Sequence, residues 1–119
     1  MKKFKFALDT VLSYKQQVLD ALQGEHAEIL ARVRRQEEYL DGLWQTYRDY
    51  NSEYQSKAQE GLVINEALIY QSGLRAAELQ IQRETARLDR LRAQEEKKRE
   101  EESALIIWIV RITAVYGAC

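Results

Sequence analysis

The chain has no proline, and its five glycines are scattered rather than clustered. Because proline is the residue that most strongly interrupts a helix, its absence permits unusually long helices. Scattered glycines cannot form the glycine-rich loop that binds phosphate groups. The single cysteine, Cys119, is the last residue. No intramolecular disulfide can therefore form, and this cysteine content is typical of a protein of the reducing cytosol.

An excess of charge of one sign is also missing. The 18 basic and 19 acidic residues nearly cancel, and they are mixed along the chain. Without an extended basic face we expect no nucleic-acid partner. Lys2, Lys3 and Lys5 are followed by no apolar run, which argues against a secretory signal.

Residues with catalytic or metal-binding chemistry are equally scarce. The only histidine, His26, has no second histidine or cysteine nearby, whereas zinc needs three or four protein ligands. Acidic pairs such as Glu37 and Glu38 have no water-excluding pocket around them. We therefore expect no metal, no cofactor and no enzymatic activity.

The sequence does contain a long series of mostly apolar residues that are spaced alternately four and three residues apart. We call this series the seam. This period, sustained without proline, predicts a long helix in a coiled coil. The seam of the first helix comprises Leu8, Leu12, Lys15, Leu19, Leu22, His26, Ile29, Val33, Gln36, Leu40, Leu43, Tyr47, Tyr50 and Tyr54. Its polar members, such as His26 and Gln36, set the register of pairing at some cost in stability.

The pattern breaks near Gly61, a residue type that suits the left-handed end of a helix, and Asn65 is a candidate cap for the next one. The seam then resumes with Val63, Ala67, Tyr70, Leu74, Ala77, Ile81, Glu84, Leu88 and Leu91. A turn this short makes the second helix fold back along the first. The predicted fold is all-α: residues 1–102 form an antiparallel coiled-coil hairpin, with helix one at about 7–56, the turn at about 57–62 and helix two at about 63–102.

With the turn centred near residue 60, Leu40 should face Leu79 and Ile81. Nearer the termini, charged side chains occupy the seam of helix two opposite Leu19 and Leu22; they are Glu95, Lys98 and Glu102. We therefore expect the half of the hairpin near the turn to pack well and the half near the termini to pack poorly.

Residues 103–119 form an atypical apolar tail. The run from Leu105 to Tyr116 is shorter than the ~20 apolar residues of a membrane span, and Arg111 interrupts it. Its β-branched residues prefer strands to helices. Three interpretations remain open: a membrane-inserted segment, a poorly ordered or non-native tail, and a helical continuation in which Leu105, Ile109 and Ile112 cover Leu8 and Leu12.

The N-terminal run Phe4-Lys5-Phe6-Ala7-Leu8-Asp9-Thr10-Val11-Leu12-Ser13-Tyr14-Lys15 resembles the opening of the flagellar export protein FliJ family. A tyrosine-rich end of helix one, then Gly61 and Tyr70, extends the resemblance over about residues 2–100. The resemblance implies a cytoplasmic component of the flagellar type III export apparatus, peripheral at the inner membrane, that resembles the stalk of rotary ATPases. The implied partners are the hexameric export ATPase, the export gate membrane protein and export chaperones. The apolar tail departs from the charged helical ending usual in the family.

Two candidate binding surfaces follow. Leu43, Tyr47, Tyr50 and Tyr54, beside Trp44, form a stripe that the resemblance associates with the export gate. Tyrosine is an unusual core residue because its hydroxyl must find a partner, although plain seam packing remains the alternative.

The resemblance to a rotary stalk places the ATPase-facing end at the chain termini, with Phe4, Phe6, Leu8, Val11 and Leu12 as candidates. The alternative function is a generic structural coiled coil or a peripheral membrane adaptor that uses residues 105–116.

Overall fold

Two long helices make up the computed structural model, which describes residues 2–116. Helix α1 spans Lys2–Glu60 and helix α2 spans Ile64–Tyr116, with no strand in this range. The predicted antiparallel helical hairpin is confirmed. Cys119 lies outside the described residues, so the expectation concerning it stays an expectation.

Both helices are longer than predicted. Helix α1 begins five residues before the expected start at Ala7 and continues past Ser56 to Glu60. No glycine or proline lies between Ser56 and Glu60, so nothing local ends the helix there. The turn is correspondingly short, at residues 61–63.

Gly61 has a φ of 103°, which favours glycine, and its N–H donates to the carbonyl of Ala58 at 3.3 Å. The backbone at Val63 closes the other side of the turn, because its carbonyl accepts a hydrogen bond from the N–H of Ala67 at 3.1 Å. Asn65 lies inside α2, so the expectation that it caps this helix is wrong.

The chain divides into two compact units. The turn unit comprises Arg32–Leu91 and contains both sides of the hairpin turn. The termini unit comprises the described residues up to Ala31 together with those from Arg92 onward.

The turn unit is built around the predicted seam. Val33 and Leu40 of α1 and Ile81 and Leu88 of α2 are its buried aliphatic residues. Gln36 is buried as well, and its Nε2 donates to the carboxylate of Glu84 at 2.7 Å and to the Glu84 carbonyl at 3.0 Å. The buried polar seam residue Gln36 of α1 is thus hydrogen-bonded to the polar seam residue Glu84 of α2.

All the predicted seam positions of α1 are buried or half-buried, and so are those of α2 except Val63. Leu79, which was expected to face Leu40, is 52% exposed. Leu79 lies two residues from both Ala77 and Ile81, which are on the seam of α2. Two residues along an α-helix correspond to a rotation of about 200°, so Leu79 points away from α1.

The termini unit continues the seam with fewer aliphatic contacts. Leu19 is its buried aliphatic residue, and Leu8, Leu12 and Leu22 are half-buried. From α2, Leu105, Ile109 and Ile112 are half-buried as the helical interpretation of the apolar tail requires. Packing against a neighbouring helix outweighs the strand preference of these residues. No helix within residues 2–116 has a stretch long and apolar enough to cross a bilayer.

Candidate functional site

The predicted tyrosine stripe lies in the turn unit, where its rings pack against the start of α2. Tyr50 and Tyr54 of α1 both contact Tyr70 of α2, with ring centroids 5.1 Å and 5.3 Å away. The Tyr54 and Tyr70 rings are nearly parallel, at 16°. Stacking of this kind adds about 0.5–1.5 kcal/mol per pair beyond the burial of area.

Two of the three stripe hydroxyls, those of Tyr47 and Tyr54, find partners on the opposite helix. Tyr47 donates to the carboxylate of Glu78 at 2.8 Å, and Tyr54 accepts from the amide of Gln71 at 3.2 Å. In the other direction, Tyr70 donates to Glu53 at 3.0 Å. The reason for doubting a core role was that a tyrosine hydroxyl needs a partner, and Tyr47 and Tyr54 have one.

These contacts also raise the pKa of two phenols, those of Tyr47 and Tyr70. The hydrogen bond to Glu78 raises the pKa of Tyr47, with burial and the charge of Glu78 acting in the same direction. Burial is the main cause of the raised pKa of Tyr70, followed by its hydrogen bond to Glu53. The shifts favour the protonated phenols, which donate the hydrogen bonds to Glu78 and Glu53.

The structure thus brings Tyr47, Tyr50 and Tyr54 together as a half-buried aromatic cluster across the two helices. Leu43 is half-buried on the same seam, and Trp44 packs edge-on against Tyr47 with centroids 5.8 Å apart while remaining exposed. A binding partner can reach the edges of this cluster but not the full ring faces.

A more accessible apolar surface lies at the beginning of α2, and the sequence analysis missed it. This turn patch consists of Val63, Ile64, Leu68 and Ile69, all well exposed. Ile64 and Leu68 are four residues apart and off the seam, so they lie on one outward face of the helix. That spacing was the available signal.

The candidate ATPase-facing residues lie in the termini unit, but they divide into two groups. Leu8 and Leu12 are half-buried on the seam. Phe4, Phe6 and Val11 are exposed, Phe6 at 75%. The Phe4 ring contacts Tyr116 of α2 with centroids 5.5 Å apart, so this surface includes residues from the end of α2.

The end of α2 exposes further apolar side chains that were not among the sequence candidates. They are Ile106, Ile107, Trp108, Val110, Val115 and Tyr116. An apolar stretch with no polar face leaves most of its surface uncovered when only one helix packs against it. Together with Phe4, Phe6 and Val11, these side chains form what we call the terminal patch.

A charged cluster occupies the interior of the termini unit. His26 lies between Glu95 and Glu102, with a ring nitrogen 3.0 Å from a carboxylate oxygen of each. Beside it, Lys98 pairs with Glu25 at 2.7 Å. The charged seam residues of α2 opposite Leu19 and Leu22 therefore have partners on α1. Glu95 and Glu102 bind His26, and Lys98 binds Glu25.

Within residues 2–116, no three histidine, cysteine or acidic side chains are arranged to hold a metal ion. The described residues expose two apolar surfaces, the turn patch beside the tyrosine stripe and the terminal patch.

The profile of the family described as Flagellar FliJ protein matches residues 4–102, which is most of the chain. The chain belongs to this family. Searches among curated proteins and among solved structures find no significant match. As a FliJ family member, the chain is a component of the flagellar export apparatus, and the family is non-enzymatic. The matched region ends just before the apolar end of α2, so the terminal patch combines family residues with residues outside the match.

Proposed function

We propose that this FliJ family member is a stalk-like regulator that binds the hexameric export ATPase and contacts the export gate. In this proposal it also escorts export chaperones, and it works in the cytoplasm, peripheral to the inner membrane at the flagellar base. The observation that carries the proposal is the exposure of two separate apolar surfaces, the terminal patch and the turn patch, on a hairpin of the flagellar export family. Large exposed apolar surfaces typically mark protein contacts.

The ATPase contact is assigned to Phe4, Phe6 and Val11, the exposed members of the candidate set. Leu8 and Leu12 support this surface from the seam. A helical hairpin can bias the assembly of a ring without performing chemistry, because it only needs to bind some ring conformations better than others.

The gate contact is assigned to the turn patch together with the tyrosine stripe beside it. Tyr47, Tyr50 and Tyr54 hold the start of α2 in place, and the exposed Ile64 and Leu68 of the turn patch supply the accessible apolar contacts. This division follows from burial, because a half-buried stacked ring has less surface to offer a partner than an exposed leucine.

The two contacts can be tested separately with purified ATPase and the soluble part of the gate. Phe6→Ala with Val11→Ala should lower the stimulation of ATPase turnover, and Ile64→Ser with Leu68→Ser should weaken gate binding. If either pair forms a hot spot, the loss is about 2 kcal/mol, or roughly 30-fold in affinity. Leu79→Ser, an exposed apolar residue outside both surfaces, is the matched control.

Alanine at Tyr50 and Tyr54 together should weaken gate binding and also lower the melting temperature, whereas phenylalanine at both positions should preserve the stack and the binding. Loss of gate binding by the alanine pair alone, with no effect of Ile64→Ser and Leu68→Ser, would mean that the turn patch does not face the gate. An unmodified chain that neither binds the ATPase nor changes its turnover would overturn the stalk proposal.

A further inference from the structure

The terminal patch differs from the turn patch in the charge that surrounds it. Residues 2–16 and 103–116 carry five basic side chains, Lys2, Lys3, Lys5, Lys15 and Arg111, and one acidic side chain, Asp9. This local net charge of +4 occurs in a chain whose net charge is −1, so the remaining residues carry −5. In contrast, residues 53–69 around the turn patch carry three acidic side chains and one basic side chain.

Most of the exposed aromatic side chains lie in the same unit. Phe4, Phe6, Tyr14, Trp108 and Tyr116 are all exposed there. The ammonium group of Lys15 lies 5.4 Å from the centre of the Trp108 ring, so a basic and an aromatic side chain share one face of the unit. Aromatic rings and lysine stems next to apolar side chains are the composition of surfaces that sit at the headgroup level of a bilayer.

The apolar residues on α2 point in several directions around the helix. Ile107 and Val110 are three residues apart and face away from the seam residues Ile109 and Ile112. Trp108 and Val115 are seven apart and lie along one flank, and Phe4 and Val11, also seven apart, form the matching stripe on α1. These two stripes, with Lys15 beside Trp108, lie on one flank of the unit, so a flat lipid surface can contact both helices along it.

We propose that the terminal patch binds the surface of a bilayer rich in anionic lipids. The basic residues meet the lipid headgroups, and the two stripes on the shared flank, Phe4 with Val11 and Trp108 with Val115, enter the boundary between headgroups and acyl chains. The helices do not cross the bilayer in this arrangement, in agreement with the lack of a spanning stretch in residues 2–116. The inference goes beyond the proposed function, because it assigns a lipid ligand to an end of the chain where Phe4 and Val11 are also assigned to the ATPase, so the two ligands compete for this surface.

The test is flotation of the full chain with vesicles of phosphatidylcholine alone or with about one third phosphatidylglycerol. We expect binding to the anionic vesicles, weaker binding at high salt, and little binding to the neutral vesicles. Each basic residue near an anionic surface strengthens binding roughly fivefold, so Lys2→Gln, Lys3→Gln and Lys5→Gln together should weaken it by roughly 100-fold. These lysines are exposed, so their replacement should not affect folding.

The apolar contribution is tested by Val11→Ser with Val115→Ser, which should weaken vesicle binding, and by the matched pair Ile64→Ser with Leu68→Ser, which should leave it unchanged. In a Trp44→Phe background, the emission of Trp108 should shift to shorter wavelength on anionic vesicles. Circular dichroism checks that each variant keeps its helix content.

Three results would overturn the proposal. Equal binding to neutral and anionic vesicles would show that charge complementarity plays no part. Full binding by the variant with Lys2→Gln, Lys3→Gln and Lys5→Gln would show that these three lysines do not contribute to lipid binding. Absence of binding to anionic vesicles would overturn it directly, and an oligomer that Val11→Ser and Val115→Ser dissociate would then identify the terminal patch as a contact between copies of the chain.

Discussion

Tyr50 and Gly73 fit each other so closely that a Cβ atom built at Gly73 would lie 2.8 Å from the Tyr50 ring. The ring cannot easily withdraw, because Tyr70 packs against it with centroids 5.1 Å apart. Glycine inside a helix normally costs about 1 kcal/mol relative to alanine. At this position the absent side chain makes room for an aromatic contact between the helices.

Gly73→Ala should therefore destabilise the protein. The clash, about 1–3 kcal/mol for overpacking, should exceed the gain of about 1 kcal/mol in helix propensity. Gly42→Ala is the matched control, since a Cβ atom there meets nothing within 4 Å and the change should stabilise by about 1 kcal/mol. Urea denaturation of both variants measures the difference. If the two changes stabilise the protein equally, Tyr50 is not held in place, and the aromatic cluster is looser than its geometry indicates.

Charged residues make part of the pairing of α1 with α2 in the termini unit. Each ring nitrogen of His26 lies 3.0 Å from a carboxylate oxygen of α2, and both can donate only when the imidazole is doubly protonated. The hydrogen bond to Glu95 raises the pKa of His26, and the charge and hydrogen bond of Glu102 reinforce it, while burial acts in the opposite direction. The neighbouring Lys98 is occupied by Glu25 and Glu101.

Because the folded-state pKa of His26 is raised above the ordinary histidine value of 6.5, its contribution to stability is present in full below about pH 6.5. The contribution disappears as the pH rises through the folded-state pKa. We expect the melting temperature to fall by a few degrees from pH 6 to pH 8.5. His26 is the only histidine, so His26→Gln should flatten this dependence. A slope that persists in the variant would assign the effect to another group.

The two units of the molecule differ in the amount of apolar surface they bury. The turn unit buries Val33, Leu40, Ile81 and Leu88, whereas Leu19 is the buried aliphatic residue of the termini unit in the part of the chain that the structure describes. Each fully buried aliphatic side chain stabilises by about 1.5–3 kcal/mol. The charged network around His26 adds less, because the desolvation of its groups offsets much of their attraction.

Amide hydrogen exchange should therefore be faster in residues 15–25 and 92–102 than in residues 36–50. With three additional buried aliphatic residues in the turn unit, local opening there should cost several kcal/mol more, which slows exchange by at least tenfold at about 1.4 kcal/mol per factor of ten. Equal protection in all three segments would show that the polar seam stabilises the termini unit as well as an aliphatic one would.

The sequence alone determined which face of each helix is covered. Seam positions from Leu8 to Tyr54 and from Ala67 to Leu91 are buried or half-buried as predicted. Gly61 likewise marked the turn. These features are local: the helical period fixes which side chains share a face, and a left-handed φ strongly favours glycine. Such information is contained in residues close together in the chain.

Only the tertiary structure decided which side chains meet across the two helices. The partners of His26 are 69 and 76 residues away in sequence, and Tyr47 meets Glu78 rather than another apolar seam residue. The length of the turn and the rotation of α2 about its axis set these pairs, and a helical period specifies neither. The same limit hid the exposure of the turn patch and the helical course of the apolar end of α2, because both depend on what the opposite helix covers.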